Sequence, residues 1–149
     1  RPRHEKMIAE LRRIGCGVVL IGDGDVAGVI ATTDPDTTID VYMGQGGAPE
    51  GVLACAALRC VGGQFKGRLV FRNEDERSRA RRWGIEDLDK QYDLTELAKG
   101  DCIFAATGVT DGSLLEGVKR KPGKMTTESV VMRASSGTVR WVRGEHRID

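Results

Sequence analysis

Apolar residues follow two different patterns along the first half of the chain. Residues 4–14 carry four apolar side chains at the spacing of one helical face, which predicts a helix. A continuous apolar run at 18–21 has the pattern of a strand buried on both faces, and a second strand is predicted at 39–43. Helices are predicted between and after these runs, at 26–33 and from Pro49 to the glycine pair at 62–63. Because strands and helices alternate, the pattern predicts parallel strands with right-handed crossovers.

The second half of the chain changes towards antiparallel structure. The remaining predicted elements are a strand at 68–71, a helix at 73–83 capped by Asn73, a short helix at 94–99, a buried strand at 102–106, and strands at 126–134 and 138–143 joined by a hairpin turn. We therefore expect one α/β domain over residues 1–149, built as a layered sandwich. Its mostly parallel sheet, containing 18–21, 39–43 and 102–106 as neighbours, would be flanked by helices and followed by a C-terminal antiparallel hairpin.

Composition and charge argue against several classes of protein. The formal net charge is +1, so no general basic field favours binding to nucleic acid. No apolar stretch approaches the roughly 18 to 20 residues of a membrane span. The four cysteines form no Cys-x-x-Cys pair and suggest neither a zinc site nor a disulfide framework, so we expect a cytoplasmic protein. His4 and His146, the two histidines, lie near opposite ends without a nucleophile motif and are interpreted as surface or structural residues.

Three loops follow predicted strands, at 22–25, 44–50 and 107–112, where ligands bind in α/β sheets. The first matches the dinucleotide pattern G-x-G-x-x-A. However, the carboxylates of Asp23 and Asp25 would repel a pyrophosphate and suit sugar hydroxyl groups better. They could equally do no more than form the turn and cap the helix.

The second loop is rich in glycine, which allows a ligand to approach the backbone closely. Glu50 lies in the first turn of the helix that follows. It is either a hard oxygen ligand for a divalent cation beside a phosphate, or a carboxylate that complements the helix dipole. The sequence leaves both roles open, whereas the loop at 107–112 is interpreted as a turn.

Four segments carry a resemblance to a known family. They are Arg-Pro-Arg-His at 1–4, Gly-Asp-Gly-Asp-Val-Ala at 22–27, Gly-Gln-Gly-Gly-Ala-Pro-Glu-Gly at 44–51 and Phe-Ala-Ala-Thr-Gly-Val-Thr-Asp-Gly at 104–112. In this order and at this spacing, they resemble the C-terminal half of class II (GlpX-type) fructose-1,6-bisphosphatases, kin of the lithium-sensitive phosphatases. The resemblance implies hydrolysis of the 1-phosphate of fructose 1,6-bisphosphate with Mg²⁺ or Mn²⁺, and possible action on sedoheptulose 1,7-bisphosphate.

The resemblance also assigns roles to residues that match the family's motifs. It implies substrate contacts at Arg1, Pro2, Arg3, Asp23, Gly24, Asp25 and Gly47, and a metal ligand at Glu50. The family's other metal carboxylates belong to its N-terminal half, and no matching segment occurs here. One carboxylate cannot hold a two-metal site. We therefore expect the catalytic residues in a missing N-terminal half, and no activity from these residues alone.

The sequence also leads to expectations about the start of the chain, its partners and its alternative functions. The chain begins at Arg1 without an initiator methionine, which we interpret as a fragment or as numbering that starts inside a longer protein. The expected partners are a sugar bisphosphate, the missing N-terminal half and further copies in a homo-oligomer, with no nucleic acid and no membrane. The alternatives are a Rossmann-like nucleotide-binding oxidoreductase domain and a non-catalytic sugar-phosphate-binding module.

Overall fold

The computed structural model describes residues 1–148. A short 3₁₀ turn, Pro2–His4, leads into the first helix. The helices are α1 (Glu5–Arg13), α2 (Asp25–Ala31), α3 (Ala48–Val61), α4 (Glu74–Arg82) and α5 (Leu94–Leu97). The strands are β1 (Lys66–Arg68), β2 (Gln91–Asp93), β3 (Ile103–Thr107), β4 (Lys119–Lys121), β5 (Lys124–Arg133) and β6 (Thr138–Arg147).

The larger sheet has four strands and is organised around β5. Strands β3, β4 and β6 all pair with β5, and each pairing is antiparallel. Val130 in β5 lies opposite Ala106 of β3 and Trp141 of β6, which fixes the register on both sides. Strands β1 and β2 form a separate antiparallel pair.

Helix α3 packs against one face of this sheet. Its Ala57 and Cys60 are buried among Phe104, Val130 and Met132, which all lie on the covered face. Small side chains on the helix allow the sheet to come close, and removal of this apolar surface from water stabilises the contact. An adjacent side of α3 packs against α2 in a second cluster, through Val29, Ala54 and Leu58. The α/β class and the layered packing are thus confirmed.

The prediction of a mostly parallel sheet is wrong, because the strand pairings among residues 1–148 are antiparallel. Residues 18–21 and 39–43 belong to no strand, and 102–106, the predicted third neighbour, corresponds to β3 in the antiparallel sheet. Val19 is 71% exposed and Val41 69% exposed, so the two runs are not buried here. An apolar run shows that a segment favours burial, but it does not show which strand will cover it.

Most of the other elements appear close to their predicted positions. The predicted helices correspond to α1 to α5 with shifted ends, and the C-terminal hairpin is confirmed as β5 and β6. Asn73 caps α4 as predicted, since its side chain accepts a hydrogen bond from the Glu76 amide at 3.0 Å. The strand expected at 68–71 lies earlier, in β1, and the sequence analysis missed β2 and β4. In the described part of the chain, no helix is both long and apolar enough to cross a membrane.

Candidate functional site

The site begins with the turn at the start of the chain. Pro2 occupies the first position of the 3₁₀ turn, where its fixed φ suits helical backbone and its missing N–H costs nothing. The amide of His4 donates to the carbonyl of Arg1 at 2.9 Å and closes the turn. This rigid turn sets the direction of Arg3 and His4.

Arg3 and His4 both bind the backbone of one residue in the glycine-rich loop. Arg3 Nε donates to the carbonyl oxygen of Gln45 at 2.8 Å. The amide of Gln45 donates to Nε2 of His4 at 3.1 Å. Two adjacent residues therefore hold both backbone polar groups of Gln45, and they join the N-terminal turn to the loop that precedes α3.

The Gly-Asp-Gly-Asp loop at 22–25 also contacts the glycine-rich loop at 44–50. Gly24 has φ +77°, a left-handed conformation that favours glycine, and it directly precedes Asp25 at the start of α2. Asp25 is half-buried, and a Cβ added to Gly46 would lie 3.0 Å from its Oδ2. The side chain of Asp25 therefore lies against the glycine-rich loop.

Tyr42 lies between these segments. Its hydroxyl would be 3.1 Å from a Cβ added to Gly44, so it contacts the base of the glycine-rich loop. Burial and, after it, the neighbouring Asp25 carboxylate together raise the pKa of Tyr42 to about 12, while the positive charge of Arg3 acts in the opposite direction. The neutral phenol thus joins Arg3 and Asp25 in one polar cluster.

Glu50 lies in the first turn of α3, and Gly47 is the N-cap of that helix. A Cβ at Gly47 would overlap the Glu50 carboxylate, so the carboxylate folds back over the glycine. The absence of a side chain at Gly47 therefore makes room for Glu50. The exposed position of Glu50 leaves its carboxylate accessible to a cation or to solvent.

The other residues in the predicted ligand-binding loops and the N-terminal segment have fewer contacts with the polar cluster. Arg1 and Asp23 are exposed, and within residues 1–148 neither side chain makes a hydrogen bond. Asp111, in the loop at 107–112, is bound by Lys119 and by the amide of Gly117 at 2.9 Å. The hydrogen bond from Lys119 holds the pKa of Asp111 below its usual range. These contacts support the interpretation of that loop as a turn.

Sequence reasoning missed His4, Tyr42 and Gln45 as parts of the cluster. The sequence predicts a surface or structural role for His4 and places Tyr42 in a strand. The polar end of a tyrosine inside an apolar run was a usable signal, because a half-buried phenol generally finds a polar partner. Gln45 contributes only its backbone, so its side-chain type carried no signal.

The described residues do not form a metal site by themselves. Across residues 1–148, no group of three or more His, Cys, Asp or Glu side chains could hold a metal ion. Glu50 offers one hard carboxylate beside an accessible loop, whereas divalent cations take several oxygen ligands. Any metal at this position needs ligands beyond this set.

The segments that form this polar cluster match a known protein family. The model of a family described as "Bacterial fructose-1,6-bisphosphatase, glpX-encoded" matches residues 1–146. The chain belongs to this family. The match includes every segment of the cluster, so the resemblance expected from the four motifs is confirmed.

Individual relatives agree with the family. The chain is 42% identical to the D-fructose 1,6-bisphosphatase class 2/sedoheptulose 1,7-bisphosphatase of Trichodesmium erythraeum, over 98% of this chain and 46% of that protein. It is 41% identical to the protein of the same description from Synechococcus elongatus, over 100% of this chain and 47% of that protein. The chain therefore spans about half the length of the curated relatives it matches.

Family membership and geometry together argue against the dinucleotide alternative. The pattern G-x-G-x-x-A binds dinucleotides when it follows a strand and opens a helix. Residues 18–21 form no strand here, and the Asp25 carboxylate lies against the separate glycine-rich loop at Gly46.

Proposed function

We propose that the full-length protein containing this chain is a metal-dependent phosphoric monoester hydrolase. It hydrolyses the 1-phosphate of fructose 1,6-bisphosphate to give fructose 6-phosphate and inorganic phosphate, with sedoheptulose 1,7-bisphosphate as a second substrate. The observation that carries this proposal is the match of residues 1–146 to the glpX-encoded bisphosphatase family. The reaction places the protein in carbohydrate metabolism, in the direction of gluconeogenesis.

The polar cluster supports recognition of a phosphorylated sugar. Arg3 uses Nε to bind Gln45, which leaves both terminal nitrogens of its guanidinium for a phosphate. The carboxylates of Asp23 and Asp25 can accept hydrogen bonds from sugar hydroxyl groups. Gly24 and Gly47 let the backbone approach the substrate without a side chain in the way. Pro2 stiffens the turn that carries Arg3, and Arg1 adds positive charge beside it.

Glu50 is proposed as one ligand of a divalent metal, Mg²⁺ or Mn²⁺. When bound, such an ion supplies Lewis-acid stabilisation of charge on phosphoryl oxygens and a more acidic water. The described residues offer this ion one carboxylate, so its other ligands come from elsewhere in the full-length protein. The residues of this chain bind and orient the substrate beside it.

The second half of the protein is the proposed main partner. Residues 18–21 and 39–43 are rich in apolar side chains, and they lack strand partners among residues 1–148. The relatives carry roughly as much sequence again outside the matched region. We infer that this additional part covers the two apolar segments and completes the active site. The residues described here are accordingly inactive alone, and the complete enzyme is cytoplasmic and homo-oligomeric.

The test is release of phosphate by the purified full-length protein. We expect turnover of fructose 1,6-bisphosphate with Mn²⁺ or Mg²⁺, and loss of turnover after chelation. The same assay with sedoheptulose 1,7-bisphosphate measures the second substrate. Absence of phosphate release with every divalent metal, combined with tight binding of the bisphosphate, would instead favour a non-catalytic sugar-phosphate-binding module.

A further inference from the structure

The hydrogen bond from the Gln45 amide to His4 joins segments far apart in sequence. It measures 3.1 Å, and it forms beside the 2.8 Å contact from Arg3 to the Gln45 carbonyl. His4 is half-buried and immediately follows the residue proposed to bind phosphate. Since a backbone amide can only donate, Nε2 of His4 is the acceptor and must be unprotonated.

The contact fixes backbone that leads directly into α3. Gln45 is followed by Gly46 and by Gly47, the N-cap residue. In residues 1–148, the amides of Gly46 and Gly47 make no hydrogen bond. Two successive glycines have wide backbone freedom, so these amides keep one direction only if neighbouring contacts restrain them.

We propose that His4 is a positioning residue for the phosphate of the substrate. Its Nε2 holds the Gln45 amide, and together with the Arg3 contact it orients the amides of Gly46 and Gly47 towards an anion. This proposal rests on the proposed function of the same site. His4 itself does not touch the substrate.

The length of the side chain provides a sharp test. The Oε1 of glutamine reaches approximately as far as Nε2 of histidine and can accept the same hydrogen bond, whereas asparagine is too short. We would prepare His4→Gln, His4→Asn and His4→Leu in the full-length enzyme. His146→Leu is the matched control, because His146 is exposed and contacts Thr127 at 3.0 Å on the C-terminal hairpin.

Two measurements separate positioning from general stability. The first is the KM and kcat for fructose 1,6-bisphosphate, and the second is the Kd for inorganic phosphate by calorimetry. The net value of one hydrogen bond predicts that His4→Asn and His4→Leu raise KM and Kd about 2-fold to 10-fold. His4→Gln should stay within about 2-fold of wild type, and His146→Leu should change neither value.

The outcomes distinguish this proposal from the proposed function. Equal weakening by His4→Gln and His4→Leu, or unchanged phosphate affinity in His4→Asn and His4→Leu, would overturn the role of His4. So would a wild-type protein that binds no phosphate. If the wild type binds phosphate with the expected order of variants but hydrolyses no bisphosphate, the proposed reaction is wrong and the role of His4 stands.

Discussion

The ring of Tyr42 packs against the backbone of Gly28 in α2, where an added Cβ would lie only 3.1 Å from a ring carbon. Glycine at this helical position therefore lets the ring approach the helix. On its other side, the hydroxyl of Tyr42 contacts the base of the glycine-rich loop at Gly44. This one side chain thus connects the Asp25 helix with the loop that leads to Glu50.

The raised pKa of Tyr42 predicts a loss of stability in alkaline solution. An unfolded tyrosine has a pKa of about 10, whereas burial and the neighbouring Asp25 raise the pKa of Tyr42 to about 12. Between these values the folded state binds more protons than the unfolded state, so stability falls as the pH rises. Urea unfolding at pH 8 and pH 11 should show an extra loss of about 1 kcal/mol in wild type relative to Tyr42→Phe. Equal pH dependence of the two proteins would contradict this prediction.

Replacement of Arg3 should weaken substrate binding. Arg3→Ala removes both the contact with Gln45 and the proposed contact with phosphate. Loss of a hydrogen bond to a charged group costs about 1.5 to 3 kcal/mol, so KM should rise about 10-fold to 150-fold. Arg3→Lys should recover little, because an ammonium group cannot reproduce the two-sided contacts of a guanidinium.

A matched control for Arg3 lies on the next helix. Arg13 is exposed and pairs with Glu10 at 2.5 Å. Such surface pairs contribute little, so Arg13→Ala should leave KM unchanged. An Arg3→Ala enzyme with the KM and kcat of wild type would remove Arg3 from the site.

Glu50→Gln should separate the two possible roles of this carboxylate. If Glu50 binds a metal, the change should lower kcat on the order of 100-fold or more, because several kcal/mol of charge stabilisation are lost. If it only complements the dipole of α3, stability should fall by about 0.3 to 1 kcal/mol and turnover should remain. Activity and melting temperature of this variant decide between them, and full turnover with a lower melting temperature would end the catalytic interpretation.

The N-cap of α4 offers a test of the fold away from the site. Asn73→Ala removes the 3.0 Å hydrogen bond to the Glu76 amide and should cost about 1 kcal/mol of stability without changing KM. Ser78→Ala, within the same helix, is the control, since alanine favours helix and no cap is lost. Thermal unfolding of both variants measures the difference. An equal effect of the two changes would show that the cap contributes nothing.

The sequence by itself determined most of the local elements and some members of the polar cluster. Helical spacing predicted α1, the glycine pair at 62–63 marked the end of α3, and Asn73 marked the start of α4. These features depend on side chains only a few positions apart, so their physics is readable from the sequence. The four motifs also identified the family, and Arg3, Asp25 and the glycine-rich loop do lie together.

Only the tertiary structure decided how these pieces pair. The apolar runs at 18–21 and 39–43 favour burial, but burial against a neighbour depends on residues distant in the chain, and the strands that do form are antiparallel. The contact between His4 and Gln45 likewise joins distant positions through a backbone amide, which has no signature in the sequence. Non-local contacts and backbone hydrogen bonds are set by the three-dimensional arrangement, and so they were invisible until the fold was known.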